Sequence, residues 1–127
     1  MPNINAALGC AQLEQLPDFL VKKRVLANRY RDAFKEVKGV SIFKEPDFAK
    51  SNYWLNLLLL DEAIVEERNN LLELTNSHGI LTRPAWTLMH KLPMFNGCPR
   101  MDLSVVENLE RRLINIPSRA VLGDGYV

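Results

Sequence analysis

The residues best suited to binding a ligand lie in one short stretch, residues 83–95. Arg83, Trp86 and His90 follow one another there at spacings of three and four, between Pro84 and Pro93. An arginine fork matches phosphate or carboxylate, a tryptophan face stacks on a ring, and a neutral histidine exchanges hydrogen bonds with hydroxyls or moves protons. Together they suit a phosphorylated or sugar-like ligand. In the alternative, structural interpretation, Trp86 covers the core, Arg83 meets a surface carboxylate and His90 caps a turn.

Motifs for catalysis, phosphate binding or metal binding are absent from the sequence. It contains no GxxxxGK[ST] or GxGxxG loop, no HExxH or CxxC pair and no GxSxG elbow. Lys91 is the only lysine within residues 83–95, and a covalent role for it would require a desolvated pocket. Cys10 and Cys98 are too few and too far apart for a disulfide framework or a zinc site, so we expect reduced thiols. We therefore predict no catalytic residue and no metal site in this chain.

The composition is that of one soluble globular domain. Of 127 residues, 47% are hydrophobic and 24% are charged. The balance of 16 Lys+Arg against 15 Asp+Glu argues against a nucleic-acid partner. The longest apolar run, residues 54–60, is interrupted by Asn56 and is far shorter than the roughly 20 residues of a membrane span. Because a signal-peptide pattern is also absent, we expect a cytoplasmic protein without a membrane partner.

Helical periodicity dominates the first part of the chain. Apolar residues recur at helical spacing over residues 5–16, where Asn3 or Asn5 could cap the free amides. Pro17 suits the first turn of a second helix, which the pattern predicts over residues 18–37.

The second of these helices carries the basic run Lys22-Lys23-Arg24. We interpret this run as a solvated helix face rather than as an anion-binding patch. Gly39 then provides the left-handed stop, and residues 40–43 form a short predicted strand.

The remaining elements predict a small sheet with helices packed on it. Residues 51–60 are almost continuously apolar, which indicates a central strand covered on both faces. A helix is predicted over residues 61–77, which Asp61 caps and Gly79 ends, and a brief strand follows over residues 80–82. An irregular stretch then runs to residue 100. The last predicted elements are a helix capped by Asp102 or Ser104, an extended segment over residues 113–116 and a loose tail over residues 123–127. This order predicts an α+β fold with an antiparallel or mixed sheet.

Three separated segments give the sequence a family resemblance. They are Met1-Pro2-Asn3-Ile4-Asn5-Ala6-Ala7-Leu8-Gly9 with Ala11-Gln12-Leu13, then Gly79-Ile80-Leu81-Thr82-Arg83-Pro84 with Trp86, Met89, His90 and Pro93-Met94-Phe95, and finally Leu113-Ile114-Asn115-Ile116-Pro117-Ser118. In this order they resemble the C-terminal domain of the DegT/DnrJ/EryC1/StrS family, the pyridoxal-phosphate-dependent nucleotide-sugar aminotransferases.

The resemblance implies a domain and a set of binding residues. It implies the small C-terminal domain of a fold-type-I pyridoxal-phosphate enzyme over residues 1–122, while the large domain that holds the cofactor and its lysine is absent. In the family, an element just before the positions of Asn3 and Asn5 reaches the neighbouring subunit's cofactor phosphate, so these two asparagines are candidate cofactor-binding residues. Arg83, Trp86 and His90 match the loop that borders the sugar-nucleotide pocket near a dimer interface, which makes them candidate substrate-binding residues.

The resemblance also implies a reaction. Family members move an amino group from glutamate, through pyridoxal phosphate, to a nucleotide-linked keto sugar. We expect a 4-keto sugar, in surface-polysaccharide or amino-sugar biosynthesis, and a homodimeric enzyme. This chain alone is expected to be inactive and to hold no cofactor tightly. The alternatives are a non-enzymatic α+β module for dimerisation or small-molecule binding, and an independent sensor domain.

A domain that docks on a larger partner should expose apolar surface when it is alone. We expect part of this surface at Leu8, Leu13, Leu16 and Phe19, and part in the loop of residues 86–95. An apolar patch beyond a few hundred Å² favours self-association.

Overall fold

The first element of the computed structural model, which describes residues 2–124, is one long helix. This helix, α1, spans Asn3–Phe34 and contains Pro17 in its interior. The prediction of two helices was therefore wrong, because a proline removes one backbone hydrogen bond while the helical pattern on both sides of it is kept. The predicted asparagine caps were also wrong. Pro2 is the residue before the helix, and no side chain caps its first turn.

Among residues 2–124, four short strands form one antiparallel sheet. They are β1 (Val40–Ile42), β2 (Asn56–Leu60), β3 (Arg83–Pro84) and β4 (Leu113–Ile116), in the spatial order β1-β2-β4-β3. Two predicted strands are misplaced. The strand predicted over residues 51–60 begins at Asn56, because Tyr53 has a left-handed backbone with φ of 48°. The second is Arg83–Pro84 instead of residues 80–82, which leaves Leu81 exposed.

The other helices follow the predicted order. The segment predicted as one helix over 61–77 begins as a 3₁₀ helix, Glu62–Glu67, and continues as α2 over Arg68–Ser77, because Ile64 departs from helical geometry. Helix α3 spans Ser104–Arg112. The residue before it is Leu103 and no side chain caps its first turn, so the predicted cap by Asp102 or Ser104 was wrong, although the Asp102 carboxylate accepts a hydrogen bond from the Ser104 amide at 3.1 Å. Short 3₁₀ turns cover Met89–Lys91, Pro93–Phe95 and Ala120–Gly123.

The core lies between the helices and one face of the sheet. Leu58, Leu60, Ile114 and Ile116 are buried on the two central strands. The C-terminal part of α1 packs on them through Tyr30 and Phe34, and α2 does so through Leu71 and Leu72. Burying one such aliphatic side chain stabilises a fold by about 1.5–3 kcal/mol. The helices packed on a small antiparallel sheet confirm the α+β prediction.

The N-terminal half of α1 is largely solvent-exposed. Leu8, Leu13 and Leu16 are exposed as predicted, whereas Phe19 is half-buried. Leu26 and Ala27, in the C-terminal half, are the residues of this helix that are buried. Within residues 2–124, neither α1 nor any other helix is both long and apolar enough to cross a membrane.

The C-terminal end of the described chain is packed against α1. Gly123 is buried, and Asp124 forms an ion pair with Lys22 at 3.0 Å. A Cβ placed on Gly123 would lie 2.2 Å from the carbonyl oxygen of Lys22. The loose tail predicted from residue 123 is therefore wrong for these two residues, because this close packing holds them. The rest of that predicted tail, residues 125–127, lies outside the described part.

We predict that Gly123→Ala destabilises the protein by about 1–3 kcal/mol, as is usual for overpacking in a tight site. The added methyl group would collide with backbone, which cannot swing aside as a flexible side chain does. Gly97→Ala is the matched control, because nothing lies within 4 Å of a Cβ at that position. Chemical denaturation measures both, and equal stability of the two variants would contradict the packing described here.

Candidate functional site

An open groove lies at the edge of the sheet where β3 and β4 meet the chain that enters β2. Its volume is about 520 Å³, which is in the range of small-ligand sites. The residues lining it are Leu55, Arg83, Pro84, Ala85, Trp86, Thr87 and Asn115. The side-chain amide of Asn115 donates a hydrogen bond to the Pro84 carbonyl at 3.0 Å and so fixes the chain that carries Arg83 and Trp86.

Trp86 stacks on Trp54 instead of covering the core. The two ring centroids are 6.0 Å apart and the planes are inclined by 22°. Trp54 remains 65% exposed and Trp86 69% exposed, so broad apolar ring surface faces solvent. The structural interpretation of Trp86 is thereby contradicted. Sequence reasoning missed Trp54, because it lies in an apolar run that was interpreted as strand interior.

Arg83 lies in the same groove with an unengaged charge. Its backbone pairs with Asn115 across β3 and β4. Within residues 2–124, its guanidinium has no carboxylate partner and no hydrogen-bond acceptor, so the alternative role in a surface ion pair is contradicted. The donors of this arginine are free to bind an anionic group that enters the groove.

His90 is not part of the groove. Its Nε2 donates a hydrogen bond to the Glu107 carboxylate at 2.8 Å, and its side chain is only 15% exposed. The neighbouring Lys91 pairs with Glu110, also on α3. These contacts hold the 3₁₀ turn of Met89–Lys91 against α3. The structure therefore brings Arg83 and Trp86 together, and places His90 where it fastens the loop.

The candidate cofactor-binding residues Asn3 and Asn5 lie outside the groove. Asn3 and Asn5 are exposed in the first turn of α1, and the Asn5 amide bonds to the Pro2 carbonyl. No lysine lines the groove, and Lys91 is held in its ion pair on α3. Between residues 2 and 124, no cluster of three or more His, Cys, Asp or Glu side chains is placed to hold a metal ion.

A charged network fixes the loop that leads to Trp54. The Arg24 guanidinium donates to both oxygens of Glu45, at 2.7 and 3.1 Å, and to the Ser51 carbonyl at 2.6 Å. The Ser51 amide also donates to Glu45. The hydrogen bonds from Arg24 and Ser51 lower the pKa of Glu45 from 4.5 to about 2. Arg24 also lies over the ring of Tyr53, 5.4 Å from its centroid.

A second basic side chain of α1, Lys23, fixes the backbone of Trp54. Its ammonium group donates to the Trp54 carbonyl at 2.9 Å and to the Ser118 carbonyl at 2.6 Å. Burial lowers the pKa of Lys23. The Trp54 amide in turn donates to the Asn52 side chain at 2.9 Å. The basic run on α1 is thus partly buried and structural, and the prediction of a solvated face was wrong.

Solved structures of known proteins share this architecture. DesI, solved in the presence of its TDP-sugar product, superposes with a TM-score of 0.83 at 25% identity, over 94% of this chain and 31% of that chain. PseC of Helicobacter pylori, an aminotransferase involved in the biosynthesis of pseudoaminic acid, gives 0.80 at 22% identity, over 92% and 32%. The fold is therefore that of the small α+β domain of pyridoxal-phosphate-dependent aminotransferases.

Sequence comparison identifies the family. The profile of the DegT/DnrJ/EryC1/StrS aminotransferase family matches residues 1–127. GDP-perosamine synthase of Escherichia coli O157:H7 is 36% identical over all of this chain and 34% of its own length. The dTDP-4-amino-4,6-dideoxy-D-glucose transaminase of Escherichia coli is 31% identical over 76% of this chain and 26% of its own length.

The chain belongs to the DegT/DnrJ/EryC1/StrS aminotransferase family, as the sequence segments indicated, and corresponds to the C-terminal part of its members. It spans about a third of the length of the curated relatives that it matches over its whole length.

We predict that the Arg24–Glu45 pair makes stability depend on acid pH. Because the pKa of Glu45 is about 2 in the folded protein, the stabilisation is complete above the ordinary value near pH 4.5 and is lost as the pH falls towards 2. The melting temperature of Glu45→Gln should therefore fall less steeply in this range than that of the unmodified chain.

Glu73→Gln is the control for this experiment, because within the described residues Glu73 is exposed and forms no ion pair. Its pH profile should follow that of the unmodified protein. Parallel profiles for the unmodified protein and Glu45→Gln would contradict the role given to the pair.

Proposed function

We propose that this chain forms the C-terminal domain of a pyridoxal-phosphate-dependent enzyme that transfers an amino group from glutamate to a nucleotide-linked keto sugar. The observation that carries the proposal is the groove, which holds an unpaired Arg83 beside the exposed ring of Trp86. A sugar nucleotide offers anionic phosphates and rings, which are the partners these two side chains accept.

The names of the relatives support a 4-keto sugar as the acceptor. The transaminase of Escherichia coli is named for a product with an amino group at carbon 4. GDP-perosamine synthase is likewise named for an amino-sugar nucleotide. We propose surface-polysaccharide or amino-sugar biosynthesis as the setting, in the cytoplasm, where nucleotide-linked sugars are made.

Within the enzyme, this chain binds and orients its ligand. Arg83 holds a phosphate of the sugar nucleotide, and Trp86 packs on one of its rings. His90 acts indirectly as a positioning residue, because its bond to Glu107 fixes the loop on α3. We propose that the cofactor and the reacting lysine belong to the rest of the enzyme, and that the chain alone is inactive.

The exposed apolar face of α1 supports docking on that larger part. Ile4 is 77% exposed and Leu13 is 68% exposed, and Leu8 and Leu16 are also exposed on the same half of the helix. Surfaces of this kind mark protein contacts. We propose that the face is covered by the large domain in a homodimeric enzyme.

A second candidate function is a non-enzymatic module that binds a small molecule or dimerises. The observation that favours it is that the groove and the exposed helix face are both built from this chain, with no lysine in the groove. Transfer activity of a reconstituted enzyme separates the two functions.

The decisive experiment is a chimera in which this chain replaces the C-terminal third of the GDP-perosamine synthase of Escherichia coli O157:H7. We expect a folded, cofactor-loaded chimera that forms GDP-perosamine with glutamate as amino donor. In this chimera, Arg83→Gln should raise the KM for the sugar nucleotide about tenfold or more, as for a lost charged hydrogen bond, and leave the KM for glutamate unchanged.

Arg111→Gln is the matched control, because Arg111 is exposed on α3 and lies outside the groove. Its kinetic constants should be those of the parent chimera. A folded, cofactor-loaded chimera without transfer activity would contradict the aminotransferase proposal and favour the binding module.

A further inference from the structure

We infer that Trp54 belongs to the ligand site, and that the stacked rings of Trp54 and Trp86 form a platform for the nucleobase of a nucleoside diphosphate. Arg83, beside the platform, binds the diphosphate. This inference deepens the proposed function and rests on it, because it assigns the nucleotide part of the substrate to a defined surface. It adds Trp54, a residue outside the three segments that carry the family resemblance.

The first support is the position of the pair. Trp86 lines the groove, and Leu55, the residue after Trp54, lines it as well. The ring of Trp54 extends the aromatic surface of Trp86, since the two rings stack with centroids 6.0 Å apart. Offset stacking at this distance leaves the outer faces available to a third ring.

The second support is that Trp54 is held rigidly although it is exposed. Its carbonyl accepts from Lys23 at 2.9 Å, and its amide donates to Asn52 at 2.9 Å. The preceding residue, Tyr53, is buried with a positive φ of 48°. A non-glycine residue in this conformation persists only when its surroundings impose it, and such strain concentrates at binding sites. The strained backbone of Tyr53 and the contact with Lys23 therefore fix the backbone of Trp54, while about two thirds of the Trp54 surface stays exposed to solvent.

The third support is the chemistry of the groove. A nucleobase has a flat π-face that stacks on indole, and stacking tolerates purines and pyrimidines alike. The free guanidinium of Arg83 supplies charge-assisted donors for phosphate oxygens. An apolar aromatic wall with a few polar groups is the usual composition of a small-ligand site. The Asn115 and Thr87 side chains supply the remaining polar groups.

The test uses intrinsic fluorescence of the full 127-residue chain. Trp54 and Trp86 are its only two tryptophans, so its indole emission reports on the platform alone. Titration with GDP or dTDP should quench this emission, because the base stacks on the rings. Inorganic pyrophosphate should compete with both nucleotides without quenching, since it has the charge and lacks the ring.

Substitutions separate the platform from a structural role of Trp54. Trp54→Ala should weaken GDP binding about tenfold, in line with the loss of one stacking contact. Trp54→Phe keeps a flat ring and should retain most of the affinity. Phe48→Ala, which removes an aromatic ring that is 92% exposed and outside the groove, should bind GDP as the unmodified chain does.

The same substitutions in the chimera test the inference in the whole enzyme. Trp54→Ala should raise the KM for the sugar nucleotide about tenfold, with the KM for glutamate unchanged. If Arg83 and Trp86 variants lose nucleotide binding while Trp54→Ala does not, the platform is overturned and the proposed function stands. Equal quenching by pyrophosphate and GDP would overturn the platform. So would the finding that both rings become buried as the protein concentration rises, without any nucleotide binding.

Discussion

The antiparallel pairing of β2 with β4 is the constraint on which the rest of the structure depends. It joins segments that are distant in sequence, with Leu58 opposite Ile114 and Asn56 opposite Ile116. Bringing such segments together has an entropic cost, which is offset by burial of the aliphatic side chains on both strands. Because β3 pairs with the free edge of β4, the same pairing sets Arg83 beside the chain that enters β2. The groove is a consequence of the strand order.

Helix α1 contributes to the site through two charged side chains. Lys23 and Arg24 are adjacent on the helix, and each bonds to the loop before β2. Placing a partly buried ammonium against two carbonyls stabilises little, since burial opposes its charge. The contact does, however, restrict the loop to one conformation. We attribute the fixed position of Trp54 to these two anchors, which act from the part of α1 that packs on the domain.

Local patterns determined how much of the molecule could be predicted from sequence. The helical character of α1 and the apolar strands β2 and β4 were predictable, because helical spacing and apolar composition leave a signal in the sequence. Pro17 led to the wrong prediction of a boundary between two helices, since a proline ends a helix only where the neighbouring turns do not keep it helical. The run around Trp54 has the composition of a strand, and the left-handed turn at Tyr53 leaves no mark in composition. His90 was grouped with Arg83 by spacing and by the family resemblance, whereas in the structure it pairs with Glu107 on α3.

In the function proposed above, neither aromatic stacking nor the Arg83 guanidinium distinguishes one nucleotide sugar from another. Stacking on indole does not distinguish one base from another, and a guanidinium binds the phosphates of any nucleotide sugar. A groove that uses these two interactions therefore supplies affinity for the part that all such substrates share. Binding energy from that unreactive part can be used to orient the reacting carbon elsewhere in the enzyme. In the function proposed above, the choice of sugar and of the carbon that receives the amino group therefore depends on residues other than Arg83, Trp54 and Trp86.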